Sequence, residues 1–186
     1  MLIINSIVLI NSLVWLFVPI RQFKTRFFFF FLILALFDPT AYVWGQIFKS
    51  NTAVPYLFGT IVLLYPALFE IKKQIKFGLI LALFTAGLIV VFYAINISII
   101  IQIVIHFIIF VSFLKVMVVF FSLNRKLLLF HLMLVLYEFS LLLKFFVFYN
   151  EVGIGPAYYY VTTVFEIIIG IFFIFFNEVH SPKLSM

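Results

Sequence analysis

Three carboxylic acids interrupt stretches that are otherwise almost wholly apolar: Asp38 in FFFFFLILALFDPTAYVW, Glu138 in LFHLMLVLYEFSLLL and Glu166 in YVTTVFEIIIGIFF. Placed near the centre of a membrane helix, such a group costs about 2.5–3.5 kcal/mol to insert, so its presence there points to function. Burial in hydrocarbon favours the neutral acid unless a cation stands beside it, which equips a poised carboxyl to carry a proton. Helical spacing shows what shares a face with each acid, because positions three, four or seven apart line up. Asp38 aligns with Tyr42 and Gly45; Glu138 with His131; Glu166 with Thr162, Thr163, Gly170 and Asn177. Ser98, Gln102 and His106 form a further stripe, with Lys115 on the opposite face from His106.

Two chemistries fit this set. Asp38, His106, Glu138 and Glu166 could form one hydrated or proton-conducting centre, with Lys115 as an ion-pair partner for Glu138 or Asp38. Alternatively the same groups hydrogen-bond between helices and lock the bundle, at roughly 0.6–2 kcal/mol per bond. Lys115 and Lys144 also lie close enough to an interface for their stems to carry the charge out to water. Pro39 follows Asp38 and removes a backbone hydrogen bond. The pair therefore reads either as a packed kink or as a broken-helix ion site.

Other chemistries are excluded. With no cysteine there is no disulfide, thiolate metal site or cysteine nucleophile. His106, His131 and His180 fall at different depths, so no metal centre is expected. No nucleophile–base spacing, Gly-rich phosphate loop or HExxH pattern occurs, and no cofactor or enzymatic activity is expected. Asn96-Ile97-Ser98 matches a glycosylation acceptor, but its turn is too short to lift Asn96 clear of a membrane.

The elements that must position these groups are helices in lipid. A chain of 186 residues that is 67% hydrophobic and 10% charged exceeds the apolar content that a soluble domain of its size can bury. Its long apolar runs do not alternate as the strands of a membrane β-barrel would. Seven runs approach the roughly 17–25 residues needed to cross a bilayer: Leu2 to Ile20, Phe27 to Phe48, Thr52 to Phe69, Phe77 to Ile95, Ile97 to Leu123, Leu127 to Tyr149 and Ala157 to Phe176. The fold expected is all-α: a single polytopic domain, 1–186, of seven transmembrane helices.

Charge orients them. Arg21, Lys24 and Arg26 fill the first gap, Lys72, Lys73 and Lys76 the third, and Arg125 and Lys126 the fifth, while Lys183 lies in the tail. The intervening gaps hold only Lys49, nothing, and Glu151. Basic loops stay in the cytoplasm, which places the N-terminus outside and the C-terminus inside. The first run is followed, not preceded, by basic residues and shows no small-residue cleavage site, so it reads as a retained helix. The net charge of +6 then reflects orientation and attraction to anionic lipid, not nucleic acid. Twenty-nine Phe against seven Gly suggests an AT-rich genome and fits a bacterial inner membrane.

A shift of one hundred positions brings Ser12 onto Ser112, Thr25-Arg26 onto Arg125-Lys126 and Asp38 onto Glu138. This reads as two parallel three-helix halves joined by an inverting fourth span, or as chance matching in a sequence rich in Leu, Ile, Val and Phe. The plan is similar to that of SWEET-type sugar transporters, whose Pro-Gln signature is absent. Tyr42, Trp44, Tyr56, Tyr158 and Tyr159 fall near the outer rim, either as an interfacial belt or as an aromatic-lined pocket for a small or lipid-like molecule. Two functions are expected of such a chain: a non-enzymatic membrane sensor or subunit acting with a partner membrane or signalling protein, or a small proton- or cation-coupled transporter using the midplane acids.

Overall fold

The computed structural model describes residues 2–49, 53–69, 84–85, 87–88, 98–150 and 155–185. Six long helices stand among them: α1 (Leu2–Arg21), α2 (Phe28–Phe48), α3 (Ala53–Leu68), α4 (Ser98–Asn124), α5 (Leu129–Tyr149) and α6 (Gly155–Phe175). Runs this apolar fold as helices because each helix satisfies its own backbone hydrogen bonds without help from solvent. Four stretches, Phe28–Phe48, Ile99–Asn124, Leu129–Val147 and Ala157–Phe175, are long and apolar enough to cross a membrane. Leu9–Arg21 and Val54–Leu68 are apolar but shorter. Of the seven expected spans, four thus reach membrane length. The expected fourth span, Phe77 to Ile95, lies outside the described residues except for Phe84, Thr85, Gly87 and Leu88, which are helical.

The fold is all-helical, as expected, with one short strand pair added. Residues expected to open the sixth span instead form a strand, β1 (Lys126–Leu128), paired antiparallel with β2 (Lys183–Ser185) in the C-terminal tail. The tail then caps α5, whose first free N–H groups reach the Pro182 carbonyl from Leu129 at 3.0 Å and the Ser181 hydroxyl from Phe130 at 2.9 Å. Buried helix termini need such partners. At the same end, the Gln22 amide donates to the carbonyls of Phe173 and Phe176, both at 2.9 Å, and Arg21 Nε donates to Phe175 at 3.2 Å, covering the last turn of α6. Glu178 accepts from Arg26 at 2.9 Å and lies 3.0 Å from His131, tying tail, first loop and α5 together. We call this the tail end and the opposite one the far end.

The helices form a closed ring in chain order, with α6 packed back on α1. Neighbours joined by short loops run antiparallel. The Arg21–Phe175 contact and the approach of Gly170 to Val14 and Trp15 make α6 and α1 parallel, and by the same alternation α3 and α4 run parallel. The ring therefore has two parallel seams, α3/α4 and α6/α1, dividing α1–α3 from α4–α6. The tail-end half of its interior is filled with rings: Phe30, Phe31, Phe113, Phe130 and Phe173 are fully buried. They meet edge-on or tilted, as in Phe30–Phe113 at 5.1 Å and Phe130–Phe173 at 5.2 Å between centroids, which are the favoured aromatic geometries. The outer surface is also apolar: Val104, Phe107, Val111 and Val118 of α4 are all exposed. Such an exterior is compatible with a membrane protein.

Helix α2 continues unbroken through Pro39. The adjacent Thr40 hydroxyl shares its hydrogen between the carbonyls of Leu36 at 2.7 Å and Phe37 at 2.9 Å, while the carbonyl that Pro39 leaves without a donor is that of Ala35. Of the two readings of Asp38-Pro39, this is the packed one.

The seam between α6 and α1 depends on Gly170. A Cβ there would lie 2.7 Å from Val14 Cγ1 and 3.5 Å from the Trp15 ring, and valine has little rotamer freedom in a helix with which to retreat. Gly170→Ala is expected to destabilise the protein by about 1–3 kcal/mol through overpacking, and Gly170→Leu by more. Thermal unfolding in detergent, followed by circular dichroism, measures both; an unchanged Gly170→Leu would contradict the close α6/α1 approach.

Candidate functional site

Apart from the tail-end network of Gln22, His131, Asn177 and Ser181, the buried polar residues gather beyond the aromatic core, around the three acids. Asp38 of α2 accepts from the Ser12 hydroxyl of α1 at 2.6 Å and the Tyr56 hydroxyl of α3 at 3.1 Å, joining three helices. Glu138 of α5, fully buried, lies 2.8 Å from Nδ1 of His106 on α4, itself 2% exposed. Glu166 of α6 accepts two contacts from the Lys144 ammonium of α5, at 2.8 and 2.9 Å. The same ammonium sits 4.7 Å from the Tyr159 ring centroid, a cation–π contact.

Each acid thus has a different kind of donor: two hydroxyls for Asp38, an imidazole for Glu138, an ammonium for Glu166. Tyr137, next to Glu138 in α5, is buried, and its ring packs against that of Trp15 at 4.7 Å between centroids. Trp15 in turn donates to Asn11 at 3.2 Å, which completes a polar shelf above the phenylalanine core. Among the described residues three buried side-chain atoms lack a hydrogen-bond partner, Gln22 Oε1 and His131 Nδ1 at the tail end and Glu138 Oε1 in this layer.

Asp38, His106, Glu138 and Glu166 therefore occupy one layer, yet they do not share a single coordination centre. His106 and Glu138 touch, while Asp38 and Glu166 each close their own bridge. Lys115 is exposed on α4, and the partner of Glu138 is His106. Lys144, which could have reached out to water, is turned inward to Glu166 instead. His131 shares its helix with Glu138 but pairs with Glu178 at the tail end. No group of three or more His, Asp or Glu able to hold a metal ion occurs among the described residues.

The expected aromatic rim divides. Tyr56 and Tyr159 turn toward the polar layer, through Asp38 and Lys144. Tyr42 is 69% exposed, Trp44 packs on Phe48 at 4.3 Å, and Tyr158 is half-buried.

Several contributors were not singled out in the sequence. Tyr137 and Gln22 looked ordinary and Ser12 entered only through its match to Ser112, although Tyr137 carries a signal, being a tyrosine well inside its span and away from either loop. Gln22 carries none, since its role depends on α6 ending beside the first loop.

No family model matches the chain, and no curated protein or solved structure matches it.

The α5–α6 bridge makes a quantitative prediction. Lys144→Met leaves the Glu166 carboxylate buried without its cation and is expected to cost about 3 kcal/mol, the scale for breaking one side of a buried pair. Lys144→Met with Glu166→Gln removes both charges and is expected to recover most of that loss. A double-mutant cycle of unfolding free energies reads the difference; additive effects would show that the two groups do not interact.

Proposed function

We propose that the chain is a non-enzymatic seven-span membrane module of the plasma membrane, a bacterial inner membrane, acting as a sensor or as a subunit with a partner chain. In this reading the tail end faces the cytoplasm and the N-terminus lies outside. The placement of charge supports that orientation: among the described residues Arg21, Lys24, Arg26, Arg125, Lys126 and Lys183 cluster at the tail end, against Lys49 at the far end. The parallel run of α3 and α4 supports an odd number of spans, because two parallel neighbours in one chain are joined by a return across the bilayer. The alignment of α1, α2 and α3 with α4, α5 and α6 after a shift of one hundred positions fits two related halves.

The observation that carries the functional reading is the tethering of every midplane acid to a neighbouring helix. Asp38, Glu138 and Glu166 hold α1–α2–α3, α4–α5 and α5–α6 in register, and phenylalanines close the interior beneath them. Groups so engaged set the relative positions of helices. A sensor needs such a bistable element, one that a signal can bias. Lys144 is the natural lever, since it stands between Glu166 and Tyr159: an anionic or aromatic ligand arriving from the far end would compete for it and release the α5–α6 bridge.

The second reading, a proton- or cation-coupled transporter, has one observation in its favour. Glu138 Oε1 is a buried oxygen without a hydrogen-bond partner.

One comparison separates them. Purified protein and its Glu138→Gln and Glu166→Gln variants are reconstituted in proteoliposomes under a pH gradient, and gentle solubilisation from native membranes is run alongside. The module reading expects no acid-dependent flux and a stoichiometric partner chain. Flux by the unaltered protein that both variants lose, with the lone chain recovered from membranes, would establish the transporter.

A further inference from the structure

At the tail end, where α1 passes into α2, a shallow, open apolar groove on the surface is lined by Pro19, Ile20, Phe23 and Phe28. Ile20 is 71% and Phe23 61% exposed, and Phe23 is held edge-on against Phe28 at 5.4 Å between ring centroids. The walls come from the last turn of α1, the loop and the first turn of α2, the depth at which an apolar helix gives way to headgroups.

Its rim is cationic. The loop is folded by two bonds from Thr25 to the Gln22 carbonyl, from the amide at 3.0 Å and the hydroxyl at 2.7 Å. Within it Lys24 adopts a left-handed backbone, φ 69°, and its ammonium stands 5.8 Å from the Phe23 ring centroid. Arg21 is exposed beside it, engaged at Nε by Phe175. Arg26, by contrast, is committed to Glu178 and stacks over Phe27 at 4.4 Å. Among the described residues no acid pairs with either Arg21 or Lys24, which border one end of an apolar surface.

We propose that this groove binds an anionic phospholipid, an acyl chain lying against Pro19, Ile20, Phe23 and Phe28 and the phosphate headgroup against Lys24 and Arg21. The chemistry of the surface selects this occupant. A second copy of the chain would bring its own Arg21 and Lys24 to the same face, like charge against like. An amphiphile with a negative head satisfies both halves of the surface at once, and basic patches at the ends of membrane helices are suited to such lipids. The proposal rests on the membrane placement of the helices and is independent of the sensor, subunit or transporter role.

The test is retention of lipid by the full-length protein in detergent, read by native mass spectrometry with phosphatidylglycerol and phosphatidylcholine of matched acyl chains. Phosphatidylglycerol is expected to be retained at least fivefold better, with that preference falling about fivefold in Lys24→Gln. Phe23→Ala is expected to weaken retention of both lipids while circular dichroism and thermal unfolding stay unchanged. Equal retention of the two lipids by the unaltered protein overturns the proposal, as does a preference that survives both Lys24→Gln and Arg21→Gln. Protein that stays monodisperse in water without detergent would instead remove the membrane reading on which the proposal rests.

Discussion

The interaction on which the architecture depends is the closure of each mid-depth carboxyl by a donor on another helix. Inside a ring of apolar helices there is neither bulk water nor lipid headgroup to receive a polar group, so each must be satisfied from across an interface. Asp38 cannot keep both of its bonds unless α1 and α3 flank α2, because Ser12 and Tyr56 come one from each side. Glu138 fixes α4 against α5, and Glu166 fixes α6 against α5 from the other direction. Those contacts specify most of the ring order. The remaining closure, α6 on α1, uses a different device, a glycine that admits Val14 and Trp15 and an amide, Gln22, that covers the end of the helix.

These pairings do not make the acids inexpensive. Interhelical bonds in membranes average about 0.6 kcal/mol with a maximum near 1.7, while a carboxylate at mid-depth costs about 3. An apolar replacement of both partners would therefore hold the ring at least as well. What polar pairs add over apolar packing is discrimination: a helix sliding by one turn exchanges one apolar contact for another but strands a charge. The bundle is thereby limited to a few discrete arrangements, the physical requirement for an element that a signal can switch.

How much of this was legible in the sequence follows from which forces act locally. Helix positions were readable because length and apolarity decide them, and the mid-depth location of Asp38, Glu138 and Glu166 followed from the ends of their runs. Partner identity was not readable, since periodicity orders residues on one helix and is silent on the rotation of the next. Lys144 illustrates the point: its distance from the helix end is equally consistent with reaching out to water or in to Glu166, and only the rotation of α6 decides. The strand at Lys126–Leu128 was hidden for another reason. Its residues are as apolar as the helix they precede, and the pairing that makes them a strand is with Lys183–Ser185, distant in sequence.

The two ends of the interior differ in a way that bears on mechanism. Toward the tail, Phe27, Phe30, Phe31, Phe113, Phe130 and Phe173 interlock, and a dense core of this kind transmits displacement without yielding. Above it, Trp15 and Tyr137 form a boundary, and beyond them apolar contacts such as Gly59 against Phe37 and His106 against Phe145 stand beside the hydrogen bonds and ion pairs of Asp38, Glu138 and Glu166. Releasing Glu166 frees α6 from α5 at mid-depth, while Gln22 and Arg21 still hold its lower end to the first loop. That lower end is fixed further where Glu178 joins Arg26 to His131.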